Sequence, residues 1–292
     1  MYTIKLENKY TYIYFPDLCN RIKSSLLEIQ RHSLIEFNLL EVTFIDPFGM
    51  ISIIGACRYL YNHFRICSRV VLPSREAGEY MYYAGFNLIE SQEPFIEIQK
   101  PTNILDGYKN NRSSGGHLTF FDSERDIRMI TEEVGRWMEE HEYDEAEQSN
   151  MSTFISEMVQ NVCQHSRTPQ RGVLCRQAYK RRDGTHFLAW AIGDAGVGIH
   201  QSLLDADVPG IVTMTDSDAI QEVLKGRSSI QDDITRGNGF PNLLKGAQDR
   251  RATLFIHSNR GIYGWNTDNS SMRKMVWDES PITGTTVSFI IG

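Results

Sequence analysis

The sequence predicts an α+β protein with two domains, and its length and the order of its elements lead to this prediction. The chain has 292 residues, more than one domain usually holds. Residues 1–100 alternate between short apolar strands and helices, which is typical of a small α/β layer structure. The remainder places two helices before several strands, which indicates an α/β sandwich with helices on one face of a mixed, mostly antiparallel sheet.

The N-terminal α/β domain is expected over residues 1–100. Helical spacing of apolar residues marks its helices, and runs of β-branched and apolar residues mark its strands. Pro16, Asp46 and Gly85 mark boundaries between them. In chain order, the expected elements are a strand at 2–6, a helix at 16–30, a strand at 34–44, a helix at 48–64, a strand at 70–72 and a helix at 75–84.

A polar stretch rich in turn formers, PTNILDGYKNNRSSGG, follows and predicts a linker over residues 101–119. The C-terminal domain then takes residues 120–292. Its helices are expected at 123–140, at 147–165 and after Pro241. Its strands are expected at 172–179, 186–192, 252–257 and 285–291, with weaker candidates at 263–265 and 274–277.

Composition restricts the classes of function. The formal net charge is -7, so the chain has no global positive field to attract nucleic acid or an anionic membrane. The five cysteines never form a CxxC pair, which argues against a disulfide framework or a zinc site. No apolar stretch approaches the length of a membrane span, and the N-terminus does not resemble a signal peptide, so we expect a cytoplasmic protein.

The helix containing SEMVQNVCQHS carries the first candidate site residues. Glu157, Asn161 and His165 follow one another at i, i+4 spacing and share one face. A carboxamide oxygen suits Mg²⁺, and a carboxylate can accept a proton or orient a water. A polar, solvated helix edge is the alternative interpretation.

The segment IGDAGVGI is the second candidate. A strand ends at Asp194, and Gly196 and Gly198 follow at alternating positions, where the backbone can approach a flat ring or a phosphate closely. The carboxylate can accept a hydrogen bond from an exocyclic amine such as that of adenine. A glycine-rich turn that opens a helix is the alternative.

Two further segments complete the set. Gly237 and Gly239 stand in the segment RGNGF, directly before a helix. Backbone N–H groups at a glycine-rich helix start are accessible and can bind an anion. Thr285 stands at the start of the last strand, in GTTV. A helix-opening turn and a threonine that satisfies its strand neighbours are the alternatives. Three cations close in sequence could add charge to a phosphate tail: Lys225, Arg227 and Arg236.

The order ExxxN, DxGxG, GxG before a helix and GT in a terminal strand resembles the GHKL superfamily of ATP-binding proteins, which includes gyrase and histidine kinases. The stretch EMVQNVCQHS is most similar to the anti-sigma-factor kinase branch. The resemblance covers about residues 120–292. It implies a Bergerat-type ATP-binding fold with ATP and Mg²⁺ as ligands.

The resemblance also implies a role for each matching residue. Glu157 would be the general base, and Asn161 would be the Mg²⁺ ligand. His165 matches a position of the family, where we expect a structural role. The remaining residues would hold the nucleotide beneath a lid drawn from about residues 205–236. Asp194 would bind the adenine amine, Gly196 and Gly198 would shape the adenine pocket, and Thr285 would support the adenine through water. The residues at the phosphates would be Lys225, Arg236, Gly237 and Gly239.

The N-terminal domain resembles a STAS domain, the partner class of those kinases. Its segment FIDPFGM is similar to the STAS loop before an apolar helix. Phosphorylated members carry a serine after the aspartate, where this chain has Pro47 and Phe48. Ser52 lies one turn inside the helix. The resemblance therefore implies a fused docking or regulatory module rather than an acceptor phosphorylated in cis.

Two functions follow as hypotheses. The first is an ATP-binding enzyme that hydrolyses ATP or phosphorylates a protein Ser/Thr, with Glu157 as its base. The second is a nucleotide-gated binding switch with negligible turnover. Both expect ATP and a protein partner, allow a homodimer, and expect neither membrane nor nucleic acid. A DNA-linked clamp is a third and less favoured reading.

Overall fold

Two β-sheets organise the protein. The structure is a computed structural model and describes residues 1–74, 76–100, 117–180, 186–228, 239–249, 252–266 and 273–291. One sheet is parallel and the other is antiparallel, so the expected α+β class is confirmed. No helix within these ranges is long and apolar enough to cross a membrane.

The first sheet has the order β1-β2-β3-β4, and its neighbouring strands run parallel. Its strands are β1 (Tyr2–Tyr10), β2 (Leu34–Ile45), β3 (Cys67–Val71) and β4 (Ile96–Gln99). The helices between them are α1 (Phe15–Ser24), α2 (Leu26–Ile29), α3 (Pro47–Phe64), α4 (Glu76–Met81) and α5 (Asn87–Gln92). The sequence predicted this alternation but did not predict β4 or α5.

Gly85 does not end the helical region as expected. The chain continues through a π-helical turn, Tyr82–Phe86, directly into α5. Gly85 has φ 130°, a conformation that favours glycine, and a Cβ there would lie 2.7 Å from the Cβ of Leu118. The glycine therefore makes a kink in which the backbone approaches the second sheet closely.

The second sheet has the order β10-β9-β8-β11-β7-β6-β5. Each pairing between its described strands is antiparallel, so the expectation of a mixed sheet was wrong in that detail. Its strands are β5 (His117–Phe121), β6 (Gly172–Lys180), β7 (His186–Gly193), β8 (Thr253–Ser258), β9 (Gly261–Asn266), β10 (Arg273–Asp278) and β11 (Thr285–Ile291).

The predicted linker overlaps this sheet. Strand β5 begins at residue 117 and pairs with β6, so the end of the segment 101–119 is part of the sheet. Residues 101–116 lie outside the described residues.

Helices of the C-terminal half cover one face of the second sheet. They are α6 (Arg125–Glu139), α7 (Glu145–His165), α8 (Gly198–Asp205), α9 (Asp216–Leu224) and α10 (Gly239–Asp249). Helix α9 lies within the segment expected to form a lid. A capping box between Thr215 and Asp218 starts it, and it packs against β9. Residues 229–236 of that segment are outside the part of the chain that the structure describes.

The N-terminal half covers the other face of the second sheet. Cys175, Ala191 and Phe255 belong to a core shared with the first sheet, whereas Leu174 and Trp190 belong to the core beneath the C-terminal helices. Because side chains alternate between the faces of a strand, both faces of this sheet are buried. The two halves therefore share a core.

Helix α3 lies between the two sheets. It is apolar around most of its circumference, as expected for a helix buried on all sides, and it packs on β3 as well as on β6, β7 and β11. The ring of Phe48 contacts that of Phe255 with a centroid separation of 4.7 Å. Ile51 lies against the end of β7, where a Cβ on Gly193 would come 2.6 Å from its Cγ2 atom.

A buried ion pair within the N-terminal half also makes a hydrogen bond to the C-terminal half. Arg58 on α3 pairs with Glu93, and both side chains are almost completely buried. The Nη2 atom of Arg58 also donates a hydrogen bond to the carbonyl oxygen of Arg171, at 2.8 Å. Removing one member would leave a buried charge unpaired, which typically costs about 3–5 kcal/mol.

Candidate functional site

Residues from the separate sequence motifs line one cavity. The cavity has a volume of about 320 Å³ and lies between α7, the adjoining ends of β7 and β11, α8 and the start of α10. Among the predicted site residues, it brings together Glu157, Asn161, Asp194, Gly198, Gly239 and Thr285. The four segments that carry these residues are far apart in the chain, so their convergence is a property of the fold.

Helix α7 supplies one wall of the cavity. The carboxylate of Asp144 caps it by accepting the N–H of Glu147 at 2.7 Å. Its apolar residues Met151, Ile155, Met158 and Val159 are buried against the sheet. On another face of the helix, Glu157, Asn161 and His165 follow one another at i, i+4 spacing and line the cavity.

Glu157 is half-buried, and its carboxylate lies close to Gly239 of α10. Desolvation raises the pKa of its carboxyl group above the ordinary value. A Cβ on Gly239 would overlap its Oε2 atom, so a side chain at that position of α10 would displace the carboxylate. A carboxylate with a raised proton affinity, held in a cavity, is suited to accept a proton.

Asp194 follows directly after β7 at the junction with β11. Its Oδ1 atom accepts a hydrogen bond from Gly196 N at 2.7 Å, and its own N–H donates to the carbonyl oxygen of Thr285 at 2.8 Å. Burial raises the pKa of its carboxyl group to about 6, with the backbone hydrogen bonds opposing part of that change. The carboxylate is thus fixed at the cavity and titrates close to neutral pH.

The two glycines after Asp194 allow the backbone of this loop to pack closely against neighbouring residues. Gly198 lines the cavity, has φ 81°, and would place a Cβ 2.6 Å from the Cγ atom of Asn259. Gly196 lies outside the cavity lining, and a Cβ there would overlap the carbonyl group of Ser166. Larger residues at either position would push the loop away from α7 and from the β8–β9 turn.

Asn259 holds this loop in place, and sequence reasoning missed it. Its Nδ2 atom donates to the carbonyl oxygen of Val197 at 2.7 Å, and its Oδ1 atom accepts from Gly284 N at 3.0 Å. Its φ of 50° is in the left-handed region that asparagine tolerates in tight turns. The sequence Asn259-Arg260-Gly261 between two apolar strands signals a turn, but it does not indicate that the turn contacts the loop after Asp194.

Ser258 is a second positioning residue that was missed. Its side chain is completely buried, and its Oγ atom accepts the N–H of Ile199 at the start of α8 at 2.8 Å. The same atom lies 3.1 Å from the Oγ1 atom of Thr285. Ser258 therefore joins the start of α8 to Thr285, which lines the cavity.

The cations near the cavity differ in where their side chains lie. Lys225 is exposed, pairs with Glu222 at 2.7 Å and lies outside the cavity lining. Arg227 does line the cavity, while its Nη1 atom donates to the carbonyl oxygen of Pro209 at 3.0 Å. The predicted residues Arg236 and Gly237 lie outside the described residues. Arg227 also pairs with Glu222, through its Nε atom at 3.1 Å, so with respect to an anion in the cavity the two described cations differ only in that Arg227 lines it.

The rest of the lining is largely apolar. It includes Ile192, Ile199, Leu203 and Val287, with Ser202 among them. The Oγ atom of Ser202 lies 3.4 Å from the Nδ1 atom of His165, so that histidine has a neighbour on α8. An apolar pocket with a few fixed polar groups suits a planar ligand that also needs specific hydrogen bonds.

The donor set fits a partial magnesium site. In the described ranges, no cluster of three or more His, Cys, Asp or Glu side chains could hold a metal on its own. Mg²⁺ is commonly bound by one or two protein oxygens together with phosphates and waters. Asn161, which lines the cavity, carries one such oxygen. The residues therefore fit a metal that arrives with a phosphate ligand.

A scan against protein-family models gave no match to this chain, and a search of curated proteins also gave none.

Proposed function

We propose that the C-terminal half binds Mg-ATP in the 320 Å³ cavity as a GHKL-type domain. The observation that supports this most is that Glu157, Asp194 and Gly239, from three separate motifs, line the same cavity.

Different residues would bind different parts of the nucleotide. Asp194 would accept a hydrogen bond from the adenine amine, and Thr285 would support the same end through water. Gly239, at the start of α10, would place backbone N–H groups near the phosphates, as helix N-termini do for anions. Arg227 would add positive charge at that end.

Glu157 would act at the transferred phosphoryl group. It would accept the proton of an attacking water or of a protein Ser/Thr hydroxyl and so hold the nucleophile in line. Asn161 would hold Mg²⁺, which when bound neutralises charge on the phosphates. The raised pKa of Glu157 favours this role, because a more basic carboxylate is a better proton acceptor.

The parallel-sheet half is proposed to be a STAS-like docking or regulatory module. Pro47 and Phe48 occupy the acceptor positions and are buried. Ser52 is also buried, and its hydroxyl donates to the carbonyl oxygen of Gly49 at 2.9 Å. These positions argue against phosphorylation of this helix in cis.

A nucleotide-gated switch is the second candidate. The contact of Ile51 with Gly193, one residue before Asp194, favours it, because this contact joins the N-terminal half to the proposed nucleotide pocket.

Calorimetry with ATP and Mg²⁺ tests the shared proposal, and absence of binding would refute it. A single-turnover assay with γ-labelled ATP, scoring free phosphate against phosphoprotein, separates the two candidates. For an enzyme, we expect turnover in the wild type and its loss in Glu157→Gln, with nucleotide affinity retained. Binding without turnover in the wild type would instead identify a switch.

A further inference from the structure

The connection between β10 and β11, residues 279–284, contacts both the N-terminal half and the loops beside the proposed nucleotide pocket. We call this segment the strap. It ends directly before Thr285, which lines the pocket. Its alternate residues Ser280, Ile282 and Gly284 are buried. Connections between strands usually run over the protein surface, whereas every second residue of this one packs inside.

The N-terminal half holds the first part of the strap. The thiol of Cys19 on α1 donates to the Oγ atom of Ser280 at 3.4 Å, and both side chains are buried. Ile282 belongs to the core that the N-terminal half shares with the second sheet. A Cβ on Gly55 of α3 would lie 3.7 Å from the Cγ2 atom of Ile282. Helices α1 and α3 therefore both pack against the strap.

The end of the strap holds the turn between β8 and β9. The N–H of Gly284 donates to the Oδ1 atom of Asn259 at 3.0 Å, and the N–H of Asn259 donates to the carbonyl oxygen of Gly284 at 2.9 Å. Gly284 has φ 97°, and a Cβ there would overlap the carbonyl oxygen of Asp194. The strap therefore ends against the backbone of Asp194, which lines the pocket.

Ser280 and His257 connect the two ends of this arrangement. His257 is buried near the end of β8, and its Nε2 atom donates to the carbonyl oxygen of Asn259 at 2.7 Å. The same Nε2 atom lies 3.0 Å from the Oγ atom of Ser280, which also accepts the Cys19 thiol. A path of hydrogen bonds thus runs from α1 through Ser280 and His257 to Asn259. Because a buried polar group that loses its partner is costly, the members of this path hold one another in place.

We propose that the strap couples the N-terminal half to the proposed nucleotide pocket, with Ser280 as a positioning residue. Packing of α1 and α3 on Ser280 and Ile282 sets the position of the strap. The strap in turn sets the position of Gly284 and Asn259 against the Asp194 loop. A partner that binds the N-terminal half more tightly in one position of the strap would therefore change nucleotide affinity. That last consequence rests on the proposed function, whereas the positioning of the turn does not.

Amide hydrogen exchange on the full chain tests the positioning without nucleotide. Cys19→Ala removes a strap contact, and Cys19 lies outside the pocket lining. Cys57→Ala, on α3, removes an equally buried thiol and is the matched control. We expect the amides of Asn259 and Gly284 to exchange at least tenfold faster in Cys19→Ala, relative to the amide of Ile256 in the centre of β8. Cys57→Ala should leave that ratio unchanged, because a loss of global stability alone affects these amides together.

Ser280→Ala is the second variant, and it removes the hydroxyl that both Cys19 and His257 contact. We expect the same local acceleration of exchange. Equal ratios in Cys19→Ala and Cys57→Ala, or an unchanged ratio in Ser280→Ala, overturn the proposal.

Calorimetry with ATP and Mg²⁺ on the same proteins distinguishes this inference from the proposed function. We expect ATP affinity to fall at least threefold in Cys19→Ala and in Ser280→Ala and to be unchanged in Cys57→Ala. ATP binding that is equally tight in the wild type and in both strap variants overturns the coupling to the pocket. A wild type that binds no ATP refutes the proposed function, and the exchange ratios still decide whether the strap positions the turn.

Discussion

The carboxylate of Glu157 lies against the backbone of Gly239, so closely that a Cβ at residue 239 would overlap its Oε2 atom. The residue proposed as the base and the residue proposed to border the phosphates therefore constrain one another. A larger residue at position 239 would therefore displace the carboxylate of a side chain on a different helix.

Gly239→Ala should lower turnover more than nucleotide affinity, because the added methyl group displaces the Glu157 carboxylate from its place. We expect kcat to fall at least tenfold, consistent with the loss of a positioned base. Gly246→Ala, seven residues further along the same helix, has open space and should leave kcat unchanged while stabilising the helix by up to about 1 kcal/mol. Equal kcat in the two variants would show that this contact has no catalytic consequence.

Asp194→Asn should weaken ATP binding by about 1–3 kcal/mol, since it replaces a charged acceptor at the adenine end of the pocket. Calorimetry measures the change. Asp17→Asn is the control, because Asp17 is exposed and pairs with Arg21 at the surface. Unchanged affinity in Asp194→Asn would remove this residue from the adenine site.

The same residue predicts a pH dependence of binding. Its pKa in the free protein is about 6, and an amine donor favours the ionised form, so binding should lower that pKa. ATP affinity should therefore be fully present above pH 6 and should fall as the pH drops below it. Calorimetry from pH 5 to pH 8 on the wild type and on Asp194→Asn checks this. We expect the variant to show a smaller loss of affinity below pH 6, because the terminal phosphate and Glu157 still titrate in it.

Asn161→Ala should make nucleotide binding insensitive to Mg²⁺, because it removes the carboxamide oxygen proposed to hold the metal. The measurement is nucleotide affinity with Mg²⁺ and with a chelator. Gln164→Ala, one turn nearer the end of α7 and also at the cavity, is the control and should retain the Mg²⁺ effect. A full Mg²⁺ effect in Asn161→Ala would assign the metal to other oxygens.

Asn259→Gly should reduce both stability and nucleotide affinity while preserving the backbone conformation, because glycine adopts the φ of 50° without strain. The variant removes the amide that joins Val197 to Gly284. We expect a loss of about 1–3 kcal/mol in unfolding free energy. Denaturant titration with and without nucleotide measures both effects. A variant that binds nucleotide as tightly as the wild type would show that the loop holds its shape without this side chain.

Much of the candidate site could be predicted because its residues follow local rules. The i, i+4 spacing of Glu157 and Asn161 fixes a shared helix face whatever the tertiary structure, and glycines near Asp194 indicate close backbone approach. Asn259 and Ser258 could not be predicted as site residues. They act on Val197, Ile199 and Thr285 from another hairpin, and sequence spacing carries no information about that proximity.

The fold was predictable to a similar extent. Hydrophobic periodicity identified α3 and α7, whereas α9 was hidden in a polar stretch even though Thr215 and Asp218 form its capping box. The shared core was also missed. Strand β8 is buried at each of its residues, including Thr253 and His257. The sequence predicted this strand, but its polar residues gave no sign that both of its faces are covered.

Helix α3 connects the parallel-sheet half to the end of strand β7, next to the proposed nucleotide pocket. Its Ile51 side chain touches Gly193, the residue whose next neighbour along the chain is Asp194. Because α3 packs on strands of both sheets, a displacement of the parallel-sheet half would also disturb the packing beside Asp194, which lines the 320 Å³ cavity. Separating the two halves would therefore remove this packing and expose the apolar face of the second sheet that the N-terminal half covers.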